Sequence, residues 1–384
     1  MSTRPVIETI VIQPTPFCNI ECTYCYLPNR RDRSVMLPDT LKALFDRVFE
    51  SGWVAPAVTV IWHAGEPLVL PHAYYRDAFA LIESVRPKDV ALRHAFQTNG
   101  MLITDEWCEL FRDHHVGVGV SLDGPRHLHD AHRVTRGGRG TFDRTMAGIR
   151  VLQRQGVEFH VITVLSGSSL DDPELLMNFY LHEGIDQVCF NVEESEGDHR
   201  SELFEMADLR ARFEMFLDRF WRLARQSGRF SYIREIDGML PRILRPQEAV
   251  MGNEQVAGFG MLNVACNGDV SSFSPELLGL KDERYSDFII GNVHRHSLDD
   301  MRASDVMQRM TRDIALGVAA CRDSCNYFSV CGGGAPINKL TENGSFASDR
   351  TRFCELTQMV PTDLILDALD RMELDGAPTL AAAS

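Results

Sequence analysis

Strand-like and helix-like segments alternate six times through the first half of the chain, and this alternation limits the fold more than any other feature. Runs rich in Val, Ile and Phe lie at residues 9–13, 58–62, 93–98, 117–122, 158–165 and 187–192, each bounded by turn residues. Between them, residues 38–51, 71–85, 104–115, 142–155 and 171–182 carry helical apolar spacing. Asp39 and Thr104 are the expected N-caps of two of these helices. Such alternation dictates parallel strands joined by right-handed crossovers. Six units suit an α/β barrel or partial barrel better than a minimal flat sheet. In a barrel the ligand site lies at the C-terminal ends of the strands.

The second half reads differently. Residues 205–226 form an amphipathic helix whose stripe of Phe213, Phe216, Leu217, Phe220 and Trp221 is core. Residues 228–260 show no clear period and serve as a junction. A hairpin is predicted at 262–272 around the two-residue turn Asn267-Gly268. A Cys/Gly/Asn-rich segment at 321–346 and a helix at 363–374 follow. The expected division is a barrel over 1–227, the junction, a second domain over 261–374, and a frayed tail over 375–384. The full length of 384 residues agrees with two domains.

Charge and hydropathy exclude several functions. Lys+Arg 39 against Asp+Glu 54 gives a net −15, which repels a phosphate backbone, so no nucleic-acid partner is expected. No run approaches the roughly 18 apolar residues of a membrane helix, and no membrane partner is expected. The first residues lack a secretory pattern, so a cytoplasmic location is expected, where disulfides rarely persist. Ten cysteines therefore call for metal or redox chemistry. They are clustered. Cys18, Cys22 and Cys25 form C-x3-C-x2-C directly after the first strand, and Cys321, Cys325, Cys331 and Cys354 form a second set. Cys108, Cys189 and Cys266 stand alone, the first two in a helix and a strand as core residues. Three thiolates on one loop cannot complete a tetrahedral zinc site, but they can hold three irons of a cubane and leave the fourth open. Four thiolates close a site, and their spacing alone fits structural zinc or a fully ligated cluster.

The loop Cys18-Asn-Ile-Glu-Cys22-Thr-Tyr24-Cys25, ending the first strand of a six-fold strand–helix pattern, resembles the radical S-adenosylmethionine superfamily. That resemblance implies a partial (β/α)6 barrel and a [4Fe–4S] cluster whose open iron chelates S-adenosylmethionine. Reductive cleavage would then yield a 5′-deoxyadenosyl radical. It places Tyr24 against the adenine. Ala64-Gly65-Glu66-Pro67 resembles the family's Gly-Gly-Glu-Pro segment, with Ala64 for the first glycine, and implies that Glu66 accepts from the methionine ammonium. Gln97, Ser121 and Arg133 match positions that bind the nucleoside, ribose and carboxylate. Asn191, at the end of the sixth strand, is a further candidate.

The region 321–354 resembles the SPASM extension of radical peptide maturases, with one extra residue in its first cysteine spacing. Where the pattern has two further cysteines this chain has Phe273 and Ala335. One auxiliary [4Fe–4S] cluster is therefore expected, not two. The wording of Gln13-Pro-Thr-Pro-Phe-Cys-Asn-Ile, Trp62-His-Ala-Gly-Glu-Pro, Phe190-Asn-Val-Glu-Glu and Ser274-Pro-Glu-Leu-Leu-Gly resembles the cyclophane-forming, GrrM-type subgroup. That implies a ribosomally made precursor peptide as substrate and a flavodoxin or ferredoxin as electron donor. It also implies hydrogen abstraction at a β-carbon and a bond from that carbon to an aromatic ring two residues earlier. Glu276, Glu193 and Glu194 are the candidate bases for the final proton. The other readings are a thioether- or formylglycine-forming radical enzyme and a non-catalytic iron–sulfur or zinc scaffold. His127, His129 and His132 are expected on the surface or behind the site. Gly332-Gly333-Gly334 is expected to let backbone pass close to a cluster.

Overall fold

The computed structural model describes residues 6–195, 199–245 and 253–374, with the side chains of 372–374 left aside. The expected tail at 375–384 and residues 246–252 of the expected junction lie outside them. Six parallel strands appear where the alternation places them: β1 (Ile7–Ile12), β2 (Val54–Trp62), β3 (Ala91–Thr98), β4 (Gly117–Ser121), β5 (His160–Leu165) and β6 (Gln187–Val192). The intervening helices are Pro38–Glu50, His72–Val85, Asp105–Asp113, Phe142–Arg154 and Pro173–Glu183, with a short helix Arg126–His132 added after β4. The strands follow chain order in one sheet, as in a partial (β/α)6 barrel.

The sheet does not stop at six strands. β7 (Tyr232–Ile233), from within the expected junction, pairs parallel with β6. At the other edge β8 (Met261–Val264) pairs parallel with β1, Thr9 opposite Met261 and Ile12 opposite Val264. β9 (Asp269–Ser272) and β10 (Gly291–Asn292) extend this edge antiparallel. The second half is thus hydrogen-bonded to the barrel's first strand. Among the described residues no helix is long and apolar enough to cross a membrane.

Local chemistry explains most element boundaries. The first helix opens on Pro38, a residue preorganised for the first turn. Its N-cap is Leu37, which has no side-chain cap bond, and Asp39 sits inside the first turn. Thr104 does occupy an N-cap position, but its hydroxyl caps no backbone N–H. It instead serves the Glu106 carboxylate. The hairpin turn is one residue longer than Asn267-Gly268 implied. Ala265 N–H bonds Asp269 O and Gly268 N–H bonds Ala265 O. Gly268 takes φ +87°, the left-handed bulge position that closes a three-residue turn. The amphipathic helix runs Leu209–Ser227 and buries Phe213, Phe216, Leu217 and Phe220 as expected.

A cluster of buried aromatic rings packs on β2 and β3. Trp62, Tyr75, Phe79 and Phe96 are almost fully buried. Phe96 meets Tyr75 edge-on at 4.8 Å and Phe111 at 5.6 Å. Cys108 and Cys189 are buried here and in β6. Truncating Phe96→Ala removes the ring that bridges these partners. It is expected to cost about 3–5 kcal/mol, checked by chemical denaturation of the folded chain.

Candidate active site

The cysteine loop leaves β1 and is tied down from several strands. Gln13 Nε2 donates to Ala64 O at 2.8 Å, and Glu66 N–H donates to Phe17 O at 2.9 Å. Asn99, after β3, donates to Asn19 Oδ1 at 2.7 Å. Arg136 donates to Cys18 O at 2.7 Å and Arg30 to Cys22 O at 3.1 Å. These contacts bring the segment after β2 so close that a Cβ on Gly65 would lie 2.2 Å from Thr15 O. Gly65 must be glycine. Ala64, where the family pattern has glycine, holds φ +64°, a conformation glycine adopts without strain. Cys18, Cys22 and Cys25 are half-buried on this loop. Burial pushes the Cys18 thiol up to about 12 and Cys22 to about 11. Without a bound cation the Cys18 and Cys22 sulfurs stay protonated, and a metal centre held by the loop would supply that cation.

The buried charges around the loop are satisfied by the chain itself. Glu66 is 1% exposed. It accepts from Leu68 N at 3.0 Å, Thr98 Oγ1 at 2.7 Å and Asn99 N at 2.7 Å. Burial still pushes it up to about 7. Arg133 grips Asp123 in a two-pronged pair, Nε to Oδ2 at 2.9 Å and Nη2 to Oδ1 at 3.1 Å. Burial alone would raise Asp123, but Arg133 overrides it and holds the carboxyl below its usual range. Tyr24 donates its hydroxyl to the same Asp123 and lies 5.4 Å from the His132 ring. The fork expected to hold a cofactor carboxylate therefore holds Asp123 here, and Nη1 is not part of that pair. Gln97 and Ser121 are half-buried at the ends of β3 and β4. Asn191 is exposed at the end of β6 and accepts from Arg234 at 2.8 Å. His129 is buried behind the site against Thr141 at 3.0 Å.

The second set of cysteines comes together. Cys321 lies in the last turn of the helix Asp305–Ser324, and Cys325 caps it. Cys331 ends the short helix Phe328–Cys331, and Cys354 lies in a turn capped by Thr351. All four line one cavity of about 450 Å3, which also takes in Gly333, Gly334, Ala335 and Lys339. Among the described residues no three side chains stand close enough to hold a single metal ion. The volume between these thiols has room for a multi-atom group. Gly332, Gly333 and Gly334 all take positive φ, at 69°, 111° and 74°, and wrap the backbone around Cys331. Asn253 fixes that wrap through Cys331 O at 3.1 Å and Gly334 O at 3.0 Å. Cys266 does not line the cavity. Phe273 is fully buried.

The three candidate bases separate. Glu193 is bound to His199 Nε2 at 2.9 Å. Glu194, just beyond β6, accepts from Asn338 of the second half. Glu276, just beyond β9, accepts from Ser274. Glu194 and Glu276 sense each other's charge, so the barrel and the second half each bring one carboxyl to the seam. Burial raises both, Glu194 to about 8. Each carboxyl therefore keeps its proton more readily than a free one does.

Asp123, Thr98, Asn338, Arg30 and Arg136 escaped the sequence reading as parts of the site. Asp123 carried a signal, lying two residues after Ser121 just beyond β4.

A partial barrel with thiols and buried charged groups at its strand ends defines an enzyme that works through a bound cofactor. The description "Radical SAM superfamily" matches residues 12–180. An uncharacterized protein of Synechocystis sp. is 38% identical over 365 residues, covering 94% of this chain and 92% of the relative. A serine-type anaerobic sulfatase-maturating enzyme of Bacteroides thetaiotaomicron is 27% identical over 86% of this chain and 83% of its own. In fold, anSMEcpe with bound AdoMet and Cp18Cys peptide matches at TM-score 0.77 and 19% identity, over 96% of this chain and 99% of that one. Streptococcus suis SuiB bound to precursor peptide SuiA matches at 0.61 and 17%, over 91% and 76%. The chain belongs to the radical SAM superfamily.

The raised Glu194 gives a pH test. Its folded value of about 8 lies above the ordinary 4.5, so the folded state binds its proton more tightly. That contribution is complete below about 4.5 and is lost as pH rises through about 8. Melting temperatures followed across this range should fall more steeply for the native chain than for Glu194→Gln.

Proposed function

We propose that this chain is a maturase of a ribosomally made peptide that joins an aromatic ring carbon to the β-carbon two residues later. Cys18, Cys22 and Cys25 would hold a [4Fe–4S] cluster, with S-adenosylmethionine against Tyr24, Gly65, Glu66, Pro67, Gln97, Ser121, Arg133 and Asn191. Cys321, Cys325, Cys331 and Cys354 would hold one auxiliary cluster of a SPASM-like domain. Bound together, the first cluster and S-adenosylmethionine supply a 5′-deoxyadenosyl radical able to take hydrogen from an unactivated carbon.

The residues of the chain do the rest. Glu66 ties the segment after β2 to the strand end of β3 and leaves one lone pair, on Oε2, for an ammonium. Tyr24, Asp123 and Arg133 form a rigid buried unit beside the cysteine loop. Glu194 and Glu276 stand at the seam, where they can take the proton lost when the ring regains aromaticity. The observation that carries this reading is the pairing of four cysteines on one cavity with an apolar Phe273 at the position of a second cysteine set. That combination supports a one-auxiliary-cluster maturase. The electron donor would be a flavodoxin or ferredoxin.

A second reading, formylglycine formation, rests on the likeness to the serine-type sulfatase-maturating enzyme. Co-expression with the small open reading frame beside the gene, followed by tandem mass spectrometry, separates them. A cyclophane should appear as a loss of two hydrogens with fragmentation silenced between the joined residues. A formylglycine would leave fragmentation intact and react with an aldehyde probe. Reconstituted protein should contain about 8 irons per chain, and about 12 would overturn the single auxiliary cluster.

A further inference from the structure

Lys339 is 3% exposed, and lysine is almost never this buried without a partner of opposite charge. It sits on the helix Pro336–Asn343 and turns into the cavity lined by the four cysteines. Its Nζ donates to Gly317 O at 3.0 Å and to Cys321 Sγ at 3.2 Å. Neither partner is a carboxylate. Asp349, held low chiefly by the Arg350 N–H and the Ser324 hydroxyl, senses the lysine charge only from further off. The surroundings are built to keep the amine there. A Cβ on Gly317 would lie 2.1 Å from Phe346 O and 3.2 Å from Lys339 Nζ. Only a glycine lets that helix approach closely enough to offer its carbonyl.

Burying an ammonium on a carbonyl and a cysteine sulfur is costly, because neither returns the lost hydration. Four thiolates around an iron–sulfur cluster would change the balance. That assembly is anionic, and it gains one more negative charge on reduction. A fixed cation donating N–H to one of its sulfurs favours the reduced state, and hydrogen bonds to cluster sulfurs are a known lever on potential.

We propose that Lys339 is a positioning residue for the auxiliary cluster: its ammonium bonds the Cys321 sulfur and raises the reduction potential of the cluster held there. This rests on the four cysteines being cluster ligands. The test uses the full reconstituted chain, with iron analysis and a redox titration followed by electron paramagnetic resonance. In Lys339→Met, with about 8 irons retained, the auxiliary cluster should become harder to reduce by tenfold or more. For one electron that is a fall of about 59 mV. The first cluster should not move. Lys339→Arg, which keeps the charge, should stay near the native potential. An unshifted auxiliary potential in Lys339→Met overturns the proposal. If Lys339→Met loses its second cluster, Lys339→Arg decides: a native-like potential supports the proposal, and a lost or equally lowered cluster overturns it. Native protein with only about 4 irons overturns the auxiliary-cluster reading itself, and this shows before any variant is made.

Discussion

β1 is the strand on which both halves of the molecule depend. It pairs with β2 on one side and with β8 on the other, both parallel. Its C-terminal end delivers the Cys18 loop, and the hairpin beyond β8 delivers Glu276. A strand hydrogen-bonded on both edges cannot shift register without turning every side chain to the opposite face. The placement of the cysteine loop relative to the second half is therefore fixed by a backbone ladder, not by a flexible linker. The Gln13 N–H bond to Val264 O, at 2.9 Å, extends that ladder past the end of β1 towards the thiols.

Beyond the ladder, the site depends on how its buried charges are met. Breaking a buried pair by removing one partner costs about 3–5 kcal/mol, comparable to a large core truncation. Each charge here is over-determined accordingly. Glu66 has three donors, and Asp123 has the Arg133 fork, the Tyr24 hydroxyl and Val164 N–H at 3.0 Å. Such groups hold the strand ends in one arrangement. Glu194 and Glu276 are the exception. Each has one neutral side-chain donor, Asn338 for Glu194 and Ser274 for Glu276, and burial raises both.

How much of this was legible follows from the range of each interaction. Strand–helix alternation and the C-x3-C-x2-C spacing are local, and the sequence located both the six strands and the loop that ends β1. The four cysteines of the second set lie within 34 residues of one another and also converge. Contacts between distant segments left no local trace. Asn338 reaches Glu194 across 144 positions, and Arg136 reaches Cys18 across 118. The caps show the same limit at short range. Asp39 looked like a cap by residue type, but Pro38 ahead of it had already begun the helix. Lys339 reads as a surface residue on any pattern, because only the tertiary fold supplies the sulfur it meets.

Phe273 shows how apolar packing can hold a strained turn exit. It leaves β9 at φ +74°, a conformation costing a bulky residue of order 1–3 kcal/mol. The hairpin exit sets that backbone. What offsets the strain is apolar burial, about 1.5–3 kcal/mol for a phenylalanine taken fully out of water. The ring lies beside Gly258, close to Met307. Phe259, also at positive φ, is anchored by the Ser272 hydroxyl at 3.1 Å and by an edge contact with Trp53 at 5.2 Å. Apolar packing thus stabilises the exit from the hairpin.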